Sequence, residues 1–104
     1  MKVVYIAHPI SGDIEGNLKK INKIVRDINL SMPNIVPFVP YYSDLMALDD
    51  NVPKERARGF KNNTHLLKSG IVEELWAYGD SEGVRYEISL CKNNSIPVKV
   101  KFYE

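Results

Sequence analysis

The residues best equipped for chemistry in this 104-residue chain fall in two short segments. The later one reads Asp80-Ser81-Glu82-Gly83-Val84-Arg85-Tyr86-Glu87. A carboxylate such as Glu87, held away from water, can serve as a nucleophile or a general base. Glu87 lies one turn beyond Gly83 and directly before Ile88, beside an apolar stripe of Val84, Ile88 and Cys91. That places it at the margin of a buried helix face, although periodicity by itself favours a solvated glutamate. Ser81 or Asp80 can cap the helix, and Glu82 suits the positive end of its dipole. Gly83 costs roughly 1 kcal/mol relative to alanine inside a helix, which is consistent with close approach of a ligand to the backbone. The earlier segment reads Tyr5-Ile6-Ala7-His8-Pro9-Ile10-Ser11-Gly12-Asp13. Ser11 and Gly12 precede a helix, where small residues expose backbone N–H groups to a ligand. Asp13 and Glu15 oppose a phosphate by charge, so a nucleoside or sugar is as compatible with this loop as a phosphate. By pattern alone His8 reads as a core or turn histidine and Pro9 as a turn former. Tyr5 and Tyr86 are the nearby phenols, and strand alternation leaves the direction of Tyr5 open.

These segments must be positioned by the elements around them. Val3 to His8 is a β-branched and aromatic run, and it reads as a buried strand. Ile14, Leu18, Ile21, Val25 and Ile28 recur at helical spacing, and that helix ends near Leu30, ahead of Pro33. Ile35 to Val39 is a second strand, placed at a sheet edge because Pro37 interrupts it. Tyr41 to Val52 is expected to be irregular, with a helical turn around Leu45 to Leu48. Pro53 opens a helix that runs to Lys68, with Ala57, Phe60, Leu66 and Leu67 as its buried positions and Asn62-Asn63-Thr64 as its weak point. Ile71 to Tyr78 is a third strand, Glu82 to Lys92 a helix, and Pro97 to Phe102 a fourth strand. Glu73 and Glu74 stand near the start of strand three, one of them facing solvent. Trp76 is expected in the core, unless it forms an interface.

Strands alternating with helices imply a parallel sheet covered on both faces, and ligands of such sheets bind beyond the carboxyl ends of the strands. The loops after strands one and three, which carry both chemical segments, lie there. The chain has room for one domain, residues 1–104. Its 14 basic and 13 acidic residues give no basic excess for nucleic-acid binding. No apolar run is long enough to cross a bilayer, and the N-terminus passes into a strand pattern without a signal peptide. A single cysteine, Cys91, fits the reducing cytoplasm, where it reads as a small buried helix residue. His8 and His65 are far apart in sequence, and with one cysteine there is no metal-ligand pattern. No phosphate-loop or dinucleotide fingerprint implies a cofactor.

Taken together, Tyr5 to Gly12 followed by Asn17, and Ser81 to Glu87, resemble the two motifs of the nucleoside 2-deoxyribosyltransferase-like superfamily. Glu73 to Asp80 is similar to the strand that precedes the second motif in short bacterial and phage members. The resemblance implies a flavodoxin-like three-layer sandwich with a parallel sheet of order 2-1-3-4, often with a fifth strand, and a homodimer or higher homo-oligomer. It implies cleavage of an N-glycosidic bond in a nucleoside or nucleotide, by transfer or hydrolysis, with no cofactor. Glu87 would then attack the anomeric carbon, and Tyr5 would orient it or the sugar. Ser81 and Gly83, beside Asp80, would hold the sugar hydroxyl or 5′-phosphate. His8, Pro9, Ser11, Gly12 and Asn17 would form the opposite wall. The alternative is a module that binds a nucleotide-derived molecule without turnover.

Overall fold

The computed structural model describes residues 1–101. Along the chain run β1 (Lys2–Ala7), α1 (Ile14–Ser31), β2 (Ile35–Phe38), α2 (Tyr41–Ala47), α3 (Pro53–Lys68), β3 (Glu74–Tyr78), α4 (Glu82–Asn93) and β4 (Val98–Lys101). The four described strands form one parallel sheet of order β2-β1-β3-β4. This is the expected flavodoxin-like α/β order, with β1 and β3 central and the proline-bearing β2 at an edge. Phe102, expected to end the fourth strand, lies outside the described residues.

Alternation along the central strands divides the core in two. Tyr5 and Ala7 of β1 join Leu75 and Ala77 of β3 beneath Leu67, Val84 and Cys91, on the face covered by α3 and α4. Val4 and Ile6 join Trp76 and Tyr78 beneath Ile24 and Ile28 of α1. The period of 2 in a strand thus sends Tyr5 toward α3 and α4, the direction that sequence left open. Strand β1 is fully buried from Val4 to Ala7, as expected of a strand covered on both faces. Helix α1 starts where Asp13 accepts a hydrogen bond from the Gly16 N–H at 3.0 Å. Its fully buried residues are Ile21, Ile24 and Ile28, while Ile14, Leu18 and Val25 flank that stripe.

Several local expectations change. The segment after Pro40 is a true helix, α2, not an irregular stretch. Pro40 has φ −64° and pre-sets the first turn, and Tyr41 anchors that turn by donating from Oη to the Ile6 carbonyl at 2.7 Å. Helix α3 runs unbroken through Asn62-Asn63-Thr64 and buries Leu67 alone. Ala57 and Phe60 are exposed and Leu66 half-buried, because α3 enters the core cluster only at Leu67. Strand β3 starts at Glu74, three residues later than expected, with Ile71 exposed. Trp76 is 5% exposed and belongs to the core, so it offers no interface. Cys91 is a free, buried helix residue.

Candidate active site

Both chemical segments meet at the carboxyl edge of the sheet, and the loops that carry them brace one another. Gly79, which follows β3, has φ +103°, and a Cβ on it would lie 3.1 Å from Pro9 Cδ. Only glycine combines that backbone angle with that contact. Asn17 reaches back from α1 and donates from Nδ2 to the Ile10 carbonyl at 3.0 Å. Pro9 and Asn17 therefore shape the first loop rather than line the cavity beside it. His8 Nδ1 lies 2.7 Å from the Pro9 carbonyl oxygen. Partial burial lowers the His8 pKa, the bond to Pro9 opposes this, and Lys20 adds to the lowering. Gly12 has φ +93° and open space where a side chain would project.

A cavity of about 300 Å³ opens between this edge and helices α2, α3 and α4. Of the residues singled out in sequence, His8, Ser11, Ser81, Gly83 and Glu87 line it, whereas Tyr5, Pro9, Gly12, Asn17 and Asp80 do not. Asp80 instead pairs with Arg85 at 3.3 Å, both side chains being exposed. Ser81 caps α4, its Oγ accepting from the Val84 N–H at 3.1 Å. The N–H groups of Glu82 and Gly83 have no helical acceptor by position, and both residues line the cavity.

Tyr5 stands behind Glu87 and acts on it directly. Its Oη donates to Glu87 Oε2. Asn63 of α3 completes the cluster, donating from Nδ2 to Tyr5 Oη at 2.7 Å and to Glu87 Oε2 at 3.1 Å. The Tyr41 ring packs on the Tyr5 ring with centroids 5.8 Å apart. The carboxylate is thus held by two hydrogen-bond donors, neither of them a cation. Burial pushes the Glu87 pKa up to about 7, against the pull of the bonds from Tyr5 and Asn63. Burial, then the adjacent charge of Glu87, holds Tyr5 well above the ordinary phenol value, so it remains a protonated donor. The same two causes raise Tyr41, and lift the Cys91 thiol to about 11, which leaves it unreactive. A carboxyl that titrates near neutrality with its charge pointed into a cavity can attack an electrophilic carbon or accept a proton.

Asn63 and Tyr41 were absent from the sequence-based site. The available signal for Asn63 was the helical stripe Arg56, Gly59 and Asn63, which ends on buried Leu67. These three line the cavity, along with Asp44, Asp50, Glu55 and Glu82. The cavity wall is therefore acidic, with Arg56 its one lysine or arginine among the described residues. Among the described residues, no group of three His, Cys, Asp or Glu side chains is placed to hold a metal ion. No described helix is long and apolar enough to cross a membrane.

The family model described as Domain of unknown function (DUF7768) matches residues 2–101. No curated protein matches the sequence. Among solved structures, the fold is similar to that of a 2-deoxyribosyltransferase from the psychrotolerant bacterium Bacillus psychrosaccharolyticus. The TM-score is 0.67 at 20% sequence identity, with 96% of this chain and 72% of that one covered.

Proposed function

The chain belongs to the DUF7768 family, whose description assigns no activity, and from that premise we propose that it cleaves or exchanges the N-glycosidic bond of a nucleoside through Glu87. The observation that carries this reading is the Tyr5–Asn63–Glu87 cluster. It holds a carboxylate of pKa about 7 against a cavity of about 300 Å³ at the ligand-bearing edge of the sheet. The likeness of the fold to a 2-deoxyribosyltransferase supports the same chemistry.

In the first step a Glu87 carboxylate oxygen attacks the anomeric carbon. The bond from that carbon to the base nitrogen breaks, and its electron pair leaves with the base, which takes a proton from water. In the second step water, or the ring nitrogen of a second base, attacks the same carbon. The carboxylate departs with the electron pair of the ester bond, and the attacking group releases its proton to solvent. Tyr5 and Asn63 orient the carboxylate and exclude water from its inner side. They bind Oε2, which leaves Oε1 to face the sugar. Asp44, Asp50, Glu55 and Glu82 around the cavity favour an unphosphorylated nucleoside over a 5′-monophosphate, because like charges in a confined site repel.

The test is release of free base from a panel of deoxynucleosides and their 5′-monophosphates, followed by chromatography. Release from a nucleoside that disappears in Glu87→Ala is the expected result. Release that persists unchanged in Glu87→Ala contradicts the assigned role.

A further inference from the structure

Two aromatic side chains at the cavity are not explained by the fold. Tyr5 is fully buried, but Phe60 is 52% exposed and Tyr86 is 39% exposed. They come from different helices, α3 and α4, and both line the cavity. Their ring centroids are 4.8 Å apart, with the planes tilted by 45°. Neither ring belongs to the two core clusters, and leaving such area in water forgoes the favourable free energy of burial.

Their place relative to Glu87 suggests a use. Asn63, which binds Glu87, lies three residues after Phe60 on α3, and Tyr86 directly precedes Glu87 on α4. Along their helices both residues therefore lie within one turn of a group of the Glu87 cluster, and both line the same cavity as Glu87. Displacement at a carbon places the attacking oxygen and the leaving nitrogen on opposite sides of that carbon. With Glu87 at the buried end of the cavity and the sugar over it, the base projects toward the open side. The open side is where Phe60 and Tyr86 present their rings.

We infer that Phe60 and Tyr86 form the platform on which the departing and incoming base stacks, a specificity-determining pair for a purine or pyrimidine ring. This rests on the reading of Glu87 as the nucleophile. Every base offers a π-face, so such a platform tolerates several bases. It also lets one base leave to solvent and another enter while the sugar stays on the enzyme. The carboxylates nearby suit ring N–H and amino donors.

The experiment is calorimetric titration of the whole chain with adenine and with thymine, alongside base release from the matching deoxynucleosides. The wild type is compared with Phe60→Leu, Tyr86→Leu and Phe60→Trp. Leucine keeps the apolar bulk and removes the π-face, and thermal melts confirm that each variant folds. We expect base affinity to fall roughly ten-fold or more in each leucine variant and to stay within about three-fold in Phe60→Trp. The loss should fall on KM rather than kcat. Unchanged affinity in Phe60→Leu, or no affinity of the wild type for either base, overturns the platform. Phe60→Leu abolishing self-association by light scattering while base affinity is unaltered also overturns it. Base release by a wild type whose affinity is indifferent to Phe60 removes the platform alone. Ring-dependent base binding with no base release supports the platform and contradicts the nucleophile.

Discussion

Two glutamates stand at opposite edges of the sheet, Glu74 buried and Glu87 partly buried where it lines the cavity. Glu74 begins β3 at the amino edge and is 4% exposed. It accepts from Trp76 Nε1–H at 2.8 Å and lies 3.5 Å from the Lys99 ammonium and 3.9 Å from that of Lys2. Glu87 meets the carboxyl edge from α4, with Tyr5 and Asn63 as its partners. Burial pushes both carboxyls up. At Glu74 the Trp76 bond and the two ammonium groups outweigh burial, and the net shift is downward. At Glu87 two neutral donors do not outweigh it, and the carboxyl titrates at about 7. A buried carboxylate with cations beside it is neutralised and structural. One supplied only with neutral donors keeps its charge available to whatever enters the cavity. Residue type is the same at the two sites; the partners differ, two ammonium groups and an indole N–H at one and two neutral donors at the other.

Activity gives the widest separation between the two. Glu87→Gln is expected to reduce base release by roughly 10³-fold or more, since it removes the attacking oxygen. Glu74→Gln should leave it within a few-fold, about the error of an indirect structural effect. Steady-state assays on both variants check this, and comparable losses would erase the distinction.

The hydrogen bonds on Glu87 give the next effect. Nucleophilic attack needs the ionised form, so kcat/KM should rise with pH through about 7 and level off above it. Tyr5 and Asn63 pull this pKa down, so Tyr5→Phe and Asn63→Ala should each move the rising limb to higher pH. Tyr5→Phe should also lower the plateau roughly 10- to 100-fold through loss of an oriented donor. A limb that stays in place, or moves down, contradicts the assignment of these bonds.

Stability offers the smallest and most opposed pair of effects. The folded-state pKa of Glu74 is lowered, so its contribution is present above the unfolded value and lost as pH falls through the folded one. Glu74→Gln should therefore cost about 1–3 kcal/mol at pH 7 and little in acid. The folded-state pKa of Glu87 is raised from 4.5 to about 7. Its ionisation therefore opposes folding increasingly as pH rises between those values. Glu87→Gln should then stabilise by about 1–3 kcal/mol at pH 8 and by almost nothing at pH 4. Urea melts at the two pH values measure both. Destabilisation by Glu87→Gln at pH 8 would show that the charge is compensated in a way the cluster does not account for.

The order of elements was legible because the four apolar runs and the helical stripes are long enough to declare their period. Sheet order was legible in part from Pro37, which suits an edge. Helix α2 was not, because its anchor is the long-range bond from Tyr41 to the Ile6 carbonyl, which no local pattern carries. Asn63 was hidden for a related reason. A polar residue in mid-helix reads as a propensity defect until the facing cavity is known, and here it donates to both Tyr5 and Glu87. Its Oδ1 is buried without a hydrogen-bond partner among the described residues. That arrangement costs about 1–3 kcal/mol, so the donors on its amide and not its stability explain its presence. Phe60 misled in the opposite sense: helical spacing marks it as core, and it faces the cavity mouth.

The proposed reaction requires the Glu87 carboxylate to form a bond to the sugar. Acid quenching during turnover of a deoxynucleoside, then proteolysis and peptide mass spectrometry, tests this directly. The prediction is a deoxyribosyl ester on Glu87 that is absent from Glu87→Gln. Rapid base release with Glu87 unmodified, or the sugar carried by another residue, would contradict it.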